Sequence, residues 1–154
     1  DMARAIVRDS KIRQMAVCNG LETLLVHEGA ARTTLPFVLD ALVAEGVEIR
    51  GCPRTREVFP SATAASEEDW AAEFLAPILA VRVVTDLDAA IEHIRHYGSS
   101  HTEVIITSDY ASSQAFVRHV DSSTVGVCGL TWSPAHGSSR GVVRSPLPGC
   151  RCTT

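Results

Sequence analysis

Apolar positions along this chain follow two rhythms. Residues 1–13 read as part of an amphipathic helix. Over 33–45, Leu35, Val38, Leu39, Leu42 and Val43 recur at three- and four-residue spacing, which predicts a second helix. Gly46 follows, where a left-handed cap is favoured. Between the two helices, 21–27 contains a strand marked by Leu24, Leu25 and Val26, and 47–50 alternates as another. Residues 78–84 are apolar except for Arg82, as in a strand covered on both faces. Asp86 then caps a helix that buries Leu87, Ala90, Ile91 and Ile94, carries Arg95 and His96 in its last turn and stops at Gly98. A strand over 103–107, a helix from Ser108 or Asp109 to about 120 and a strand over 123–127 complete the pattern. Strands alternating with helices predict an α/β fold with parallel strands and right-handed crossovers. No internal repeat is visible.

The segments between carry weaker signals. Residues 51–65 hold two prolines and no period, and read as a surface connection. Ser66-Glu67-Glu68-Asp69-Trp70 reads as a helix start, with a serine cap and acids that complement the dipole. From Cys128 onward Gly, Pro and Ser crowd a stretch without periodicity, which divides the chain into a domain over 1–127 and an irregular tail over 128–154. The first residues read as mid-helix, so the chain is expected to be an internal piece of something longer.

Charge and composition narrow the field. The net charge of −4, without a basic patch bearing aromatics, argues against nucleic acid. No apolar run approaches the ~20 residues of a membrane span, and no signal-peptide core is present. The 5 cysteines are odd in number and irregularly spaced, which does not suggest a disulfide framework. A reducing, cytoplasmic location is the simpler expectation.

The chemistry centres on Cys18, in Val17-Cys18-Asn19-Gly20-Leu21-Glu22-Thr23-Leu24-Leu25-Val26-His27, preceded by Lys11-Ile12-Arg13-Gln14. Read as a thiol at the start of a helix with cations nearby, Cys18 is held where the thiolate is favoured. That is what a nucleophile attacking an acyl carbon requires. The plainer alternative is a small buried hydrophobe. Cys150, Cys152 and His136 match no tetrahedral zinc spacing, so no metal site is expected.

This segment resembles the active-site signature of the γ-glutamyl phosphate reductases (glutamate-5-semialdehyde dehydrogenases), within the aldehyde dehydrogenase superfamily. Lys11 stands seven residues before the cysteine, as in that pattern, and every fixed position from Val17 to His27 matches. Gln14-Met15-Ala16 replaces the Arg-Pro-Gly of many members. Two further blocks resemble the family: Glu68-Asp69-Trp70-Ala71-Ala72-Glu73-Phe74-Leu75 and Tyr97-Gly98-Ser99-Ser100-His101-Thr102-Glu103. The resemblance covers 1–127 and ends at Cys128-Gly129-Leu130-Thr131-Trp132-Ser133, where the family has Asn-Ala-Ser-Thr-Arg-Phe. Arg- and Pro-rich text in place of a motif is what a shifted reading frame in GC-rich DNA produces.

The resemblance implies an incomplete three-layer, parallel-sheet catalytic domain of the aldehyde dehydrogenase type. It implies NADPH-dependent reduction of γ-glutamyl phosphate to glutamate 5-semialdehyde and phosphate, in proline biosynthesis, through a thioester on Cys18. Glu73 is the position that holds the nicotinamide ribose of NADP(H). Asn19, His101 and Thr102 are expected in the substrate pocket. The implied partner is the small-molecule substrate, and a homo-oligomer is open for full-length members. This chain alone lacks a dinucleotide fingerprint and is expected to be inactive. Two alternatives stand beside this reading: another aldehyde dehydrogenase, and an inactive truncated α/β domain left as a gene remnant.

Overall fold

A computed structural model of the chain describes residues 2–13 and 16–129. In chain order the elements are α1 (Met2–Ile12), β1 (Thr23–His27), α2 (Glu28–Val43), β2 (Glu48–Gly51), α3 (Pro53–Val58), β3 (Thr63–Ala64), a single 3₁₀ turn (Glu68–Trp70), β4 (Ile78–Val84), α4 (Leu87–Tyr97), β5 (Thr102–Ile106), α5 (Tyr110–His119) and β6 (Thr124–Cys128). The tail over 130–154 lies outside the described residues.

The apolar run of β4 makes it the centre of the larger sheet, whose order is β1-β4-β2-β3. Every pairing is parallel, with Val81 opposite Leu24 on one side and Gly51 on the other. Alternation along β4 sorts its two faces. Leu79, Val81 and Val83 enter the main core, joined by Leu35, Leu39 and Leu42 of α2 and Val7 of α1. Leu35, Leu39 and Leu42 are all at 0% exposure. Burying each such side chain contributes about 1.5–3 kcal/mol. Arg82 faces the other way and its Nη1 meets His93 Nδ1 of α4 at 3.2 Å. Helices α1 to α3 therefore cover one face and α4 the other, giving three layers. β5 and β6 form a separate two-stranded parallel sheet. Its own small core joins Ile91 of α4 to Phe116 and Val120.

The caps explain several boundaries. Asp86 accepts the Ala89 N–H at 2.8 Å and starts α4. Asp109 accepts the Ser112 N–H at 2.7 Å and starts α5. Gly46, at φ +84°, takes the left-handed conformation that turns the chain from α2 toward β2.

Three expectations change. α2 begins at Glu28, five residues before the apolar period becomes visible, because His27 Nδ1 accepts the Gly29 N–H at 3.0 Å and caps it. The connection over 51–65 contains a helix and a strand, with Pro53 opening α3 and Thr55 Oγ1 donating to the Val81 carbonyl at 2.9 Å. The helix start at Ser66 yields only the 3₁₀ turn. Asp69 Oδ2 accepts the Ser66 N–H at 2.8 Å, and the backbone leaves helical geometry at Ala71 (φ −103°, ψ 2°). Cys18 and Cys52 are free thiols, whereas Cys128 is disulfide-bonded, so the odd count and irregular spacing did not exclude a disulfide.

Candidate active site

Over 16–20 the chain makes a tight turn rather than a helix. Gly20 N–H donates to the Val17 carbonyl at 2.9 Å, and Leu21 N–H ties the turn back to the Ser10 carbonyl of α1 at 3.1 Å. Cys18 and Asn19 are exposed at its tip. The expected helix start at Cys18 is thus corrected: α1 has ended at Ile12 and the next helix opens at Glu28. The physical reason is the strand-forming run that follows Gly20, which pairs with β4. The cations expected beside the thiol are engaged elsewhere. Lys11 is fully buried, with its Nζ 2.8 Å from Glu22 Oε2, and Arg13 lies 3.8 Å from Asp9.

It is Cys52 that occupies a helix N-cap. Burial pushes its thiol up, but hydrogen bonds from Thr55 and from the Val83 N–H outweigh that and bring it below the usual cysteine range.

Glu22 joins three segments at one end of the sheet. Its Oε2 takes the Lys11 ammonium, its Oε1 accepts the Leu75 N–H at 3.2 Å, and its backbone carbonyl accepts from Ala80 at 3.0 Å, at the start of the β1–β4 ladder. The loop carrying Glu73 is thereby fastened to the turn carrying Cys18. Both precede parallel strands, so both lie at the amino-terminal ends of β1 and β4. The rest of the Glu73 loop is anchored by its neighbours. Asp69 Oδ1 accepts from Arg50 Nη1 at 2.7 Å. The Arg50 guanidinium lies 5.3 Å from the Phe74 ring centroid, and Arg82 lies 5.4 Å from that of Trp70. Glu73 itself is exposed.

These segments open into a cavity of about 870 Å³ lined by Cys18, Asn19, Glu73 and Thr102 among others. Leu75 and Ser100 hold φ of 48° and 58°, the left-handed region that non-glycine residues rarely adopt. They sit in the two loops that carry Glu73 and His101. Such strain, about 1–3 kcal/mol each, concentrates where surrounding structure fixes a functional geometry. His101 is not among the lining residues; its Nδ1 is 2.7 Å from Thr102 Oγ1. The structure thus brings Cys18, Asn19, Glu73 and Thr102 to one cavity and leaves His101 behind Thr102.

Two titratable groups in the cavity wall escaped the sequence reading. Burial holds Glu103 protonated well above the usual carboxylate range, at about 7. Burial, reinforced by Arg82, lowers His93 to about 4. The neutral His93 ring meets Trp70 edge-on at 5.6 Å and Tyr97 at 4.7 Å, and its Nε2 has no partner among the described residues. Among those residues no three His, Cys, Asp or Glu converge as a metal site, and no helix is long and apolar enough to cross a membrane.

The fold and site define a class: a parallel-sheet α/β domain that presents a free thiol on a turn beside a deep cleft. Comparison with known proteins is more particular. No family model matches the chain. It is 55% identical over 124 residues to the γ-glutamyl phosphate reductase of Geotalea daltonii, covering 80% of this chain and 30% of that protein. It is 52% identical over 127 residues to that of a Geobacter species, covering 82% of this chain and 30% of the relative. The crystal structure of γ-glutamyl phosphate reductase from Thermotoga maritima superposes with a TM-score of 0.80 at 40% identity, over 82% of this chain and 31% of that one. By sequence and by fold, then, about four-fifths of this chain corresponds to a segment of γ-glutamyl phosphate reductase. The chain spans 30% of the length of those curated relatives.

Proposed function

We propose that this chain is the nucleophile-bearing part of a γ-glutamyl phosphate reductase, working in proline biosynthesis in the cytoplasm. The observation that carries the reading is the joining of the Cys18 turn to the Glu73 loop through Glu22, beside one cavity. The Cys18 sulfur, as thiolate, attacks the acyl carbon of γ-glutamyl phosphate. The carbon–oxygen bond to phosphate breaks and phosphate leaves with its electron pair. The glutamyl group is then held on Cys18 as a thioester, which divides one difficult reduction into two easier steps. Asn19 and Thr102 border the substrate side, with His101 setting the orientation of the Thr102 hydroxyl.

An exposed carboxylate at the cavity fits one cofactor contact, so Glu73 would accept from the ribose hydroxyls of NADP(H). NADPH, when bound, supplies the hydride that reduces the acyl group to the aldehyde. One charged hydrogen-bonding residue, contributing roughly 1.5–3 kcal/mol, does not offset the cost of associating a dinucleotide. The isolated chain therefore does not turn over.

The test is a chimera in which residues 1–127 replace the matching segment of the Geotalea daltonii relative. With glutamate 5-semialdehyde, phosphate and NADP⁺ it should form NADPH. That activity should vanish in Cys18→Ala and show a raised KM for NADP⁺ in Glu73→Gln. A chimera that stays active in Cys18→Ala overturns the reading, and turnover by the isolated chain overturns its dependence on the rest of the protein.

A further inference from the structure

The connection between β3 and β4 crosses the sheet face opposite the main core. On β2, Ile49 enters that core, so Arg50 turns to the second face. Arg50 stands opposite Ala80 of β4, and alternation puts Arg82 on the same face. Both guanidiniums meet the connection there: Arg82 beside Trp70, and Arg50 at 5.3 Å from the Phe74 ring centroid. Arg50 makes two further contacts. Its Nε donates to Glu48 Oε1 on its own strand at 2.9 Å, which fixes the plane of the guanidinium. Its Nη1 donates to Asp69 Oδ1 at 2.7 Å, and Asp69 Oδ2 in turn accepts the Ser66 N–H at 2.8 Å. One cation therefore grips the loop on both sides of Glu73, at Asp69 before it and at Phe74 directly after it.

The grip at Phe74 bears on which side chains reach the cavity. Glu73 and Leu75 are exposed and line it, whereas Phe74 is half-buried and does not. Rolling Phe74 off Arg50 would swing the adjacent carboxylate away from the cavity. Trp70 and the Leu75 N–H have anchors of their own, in Arg82 and Glu22, so the loop stays docked without Arg50. What Arg50 sets is the direction of the side chain between them. A planar guanidinium suits this task, since its edge meets a carboxylate while its face meets an aromatic ring. Arg50 is not among the residues that line the cavity, so it acts through Glu73. We propose that Arg50 is a positioning residue for dinucleotide binding: by holding Asp69 and Phe74 together it aims the Glu73 carboxylate at the ribose of NADP(H). The proposal rests on the reading of Glu73 as the ribose contact.

The test measures NADP⁺ binding by calorimetry, without substrate, to the chimera that carries residues 1–127. Arg50→Met and Glu73→Gln form a double-mutant cycle. Glu73→Gln should raise the dissociation constant about tenfold or more, and Arg50→Met should raise it about threefold or more. The double variant should bind no more weakly than Glu73→Gln alone, because a carboxylate that is absent cannot be misaimed. In turnover, KM for NADP⁺ should rise in Arg50→Met while KM for glutamate 5-semialdehyde holds. If Arg50→Met fails to fold because Asp69, at 9% side-chain exposure, is left unpaired, Phe74→Leu replaces it in the cycle with the same expectations. Three results overturn the proposal: an unchanged dissociation constant in Arg50→Met, effects that multiply in the double variant, or both KM values rising together. Glu73→Gln without effect on binding overturns the reading of Glu73 and the proposal with it. An effect of Glu73→Gln beside none of Arg50→Met overturns the positioning role alone.

Discussion

Replacing Glu22 by leucine removes one partner from a pair whose other member has no access to water. Lys11 has 0% side-chain exposure and Glu22 17%. Losing one partner of a buried ion pair costs about 3–5 kcal/mol, because the remaining charge is left uncompensated. The partial exposure of Glu22 admits some solvent and places this case near 3 kcal/mol. The Leu75 N–H also loses its acceptor, which adds about 1 kcal/mol. For a domain of this size the sum of about 4 kcal/mol lowers Tm by roughly 10–15 °C. The assay is urea unfolding followed by circular dichroism, with Tm from a thermal scan. The double variant Lys11→Met/Glu22→Leu supplies the control. Replacing a buried pair by apolar groups of similar volume is often close to neutral, so it should recover most of the loss. A Glu22→Leu cost below about 1 kcal/mol, or a double variant no more stable than the single, would refute the buried-pair reasoning.

The pH dependence of stability should contain two opposed contributions. Glu103 keeps its proton in the folded state up to about pH 7, so the folded chain binds more protons than the unfolded one between its ordinary value and 7, and stability falls as pH rises through that window. Glu103→Gln should remove this fall, as read from urea midpoints at pH 5 and 8. His93 stays neutral in the folded state down to about pH 4, so its contribution is lost as pH falls from its ordinary value toward 4; His93→Gln should flatten that acid limb. Gly51→Ala should cost about 1–3 kcal/mol, because a Cβ there would sit 2.8 Å from Thr55 Cγ2 in a fully buried site. An unchanged midpoint would show that Thr55 yields freely. Limiting iodoacetamide at neutral pH should label Cys18 before Cys52, since Cys52 Sγ is half-buried and accepts the Val83 N–H at 3.4 Å; Cys52 labelled first contradicts that.

Local signals were sufficient wherever one residue fixes a boundary. Asp86, Asp109, Gly46 and the run 78–84 are examples, and each acts through its own backbone or its immediate pairing. α3 was missed because Pro-Arg-Thr-Arg-Glu-Val has no apolar face, and only Thr55 is buried. Pro53 at its first position was the available clue. The site divided in the same way. Cys18, Asn19, Glu73 and Thr102, which line one cavity, are singled out only by the family resemblance. The partnership of Lys11 with Glu22 spans eleven residues and has no local period, so Lys11 was assigned to the thiol instead. His93 and Glu103 have ordinary sequence surroundings, and only the packing of α4 and β5 reveals their burial.

His27 ends β1 and also caps α2, so strand and helix meet with no residue between them. The joint therefore fixes the rotational phase of the helix against the sheet. One inserted residue would turn α2 by about 100° and carry Leu35, Leu39 and Leu42 off the core face. Length variation among sequences of this kind should accordingly be excluded at 27–28.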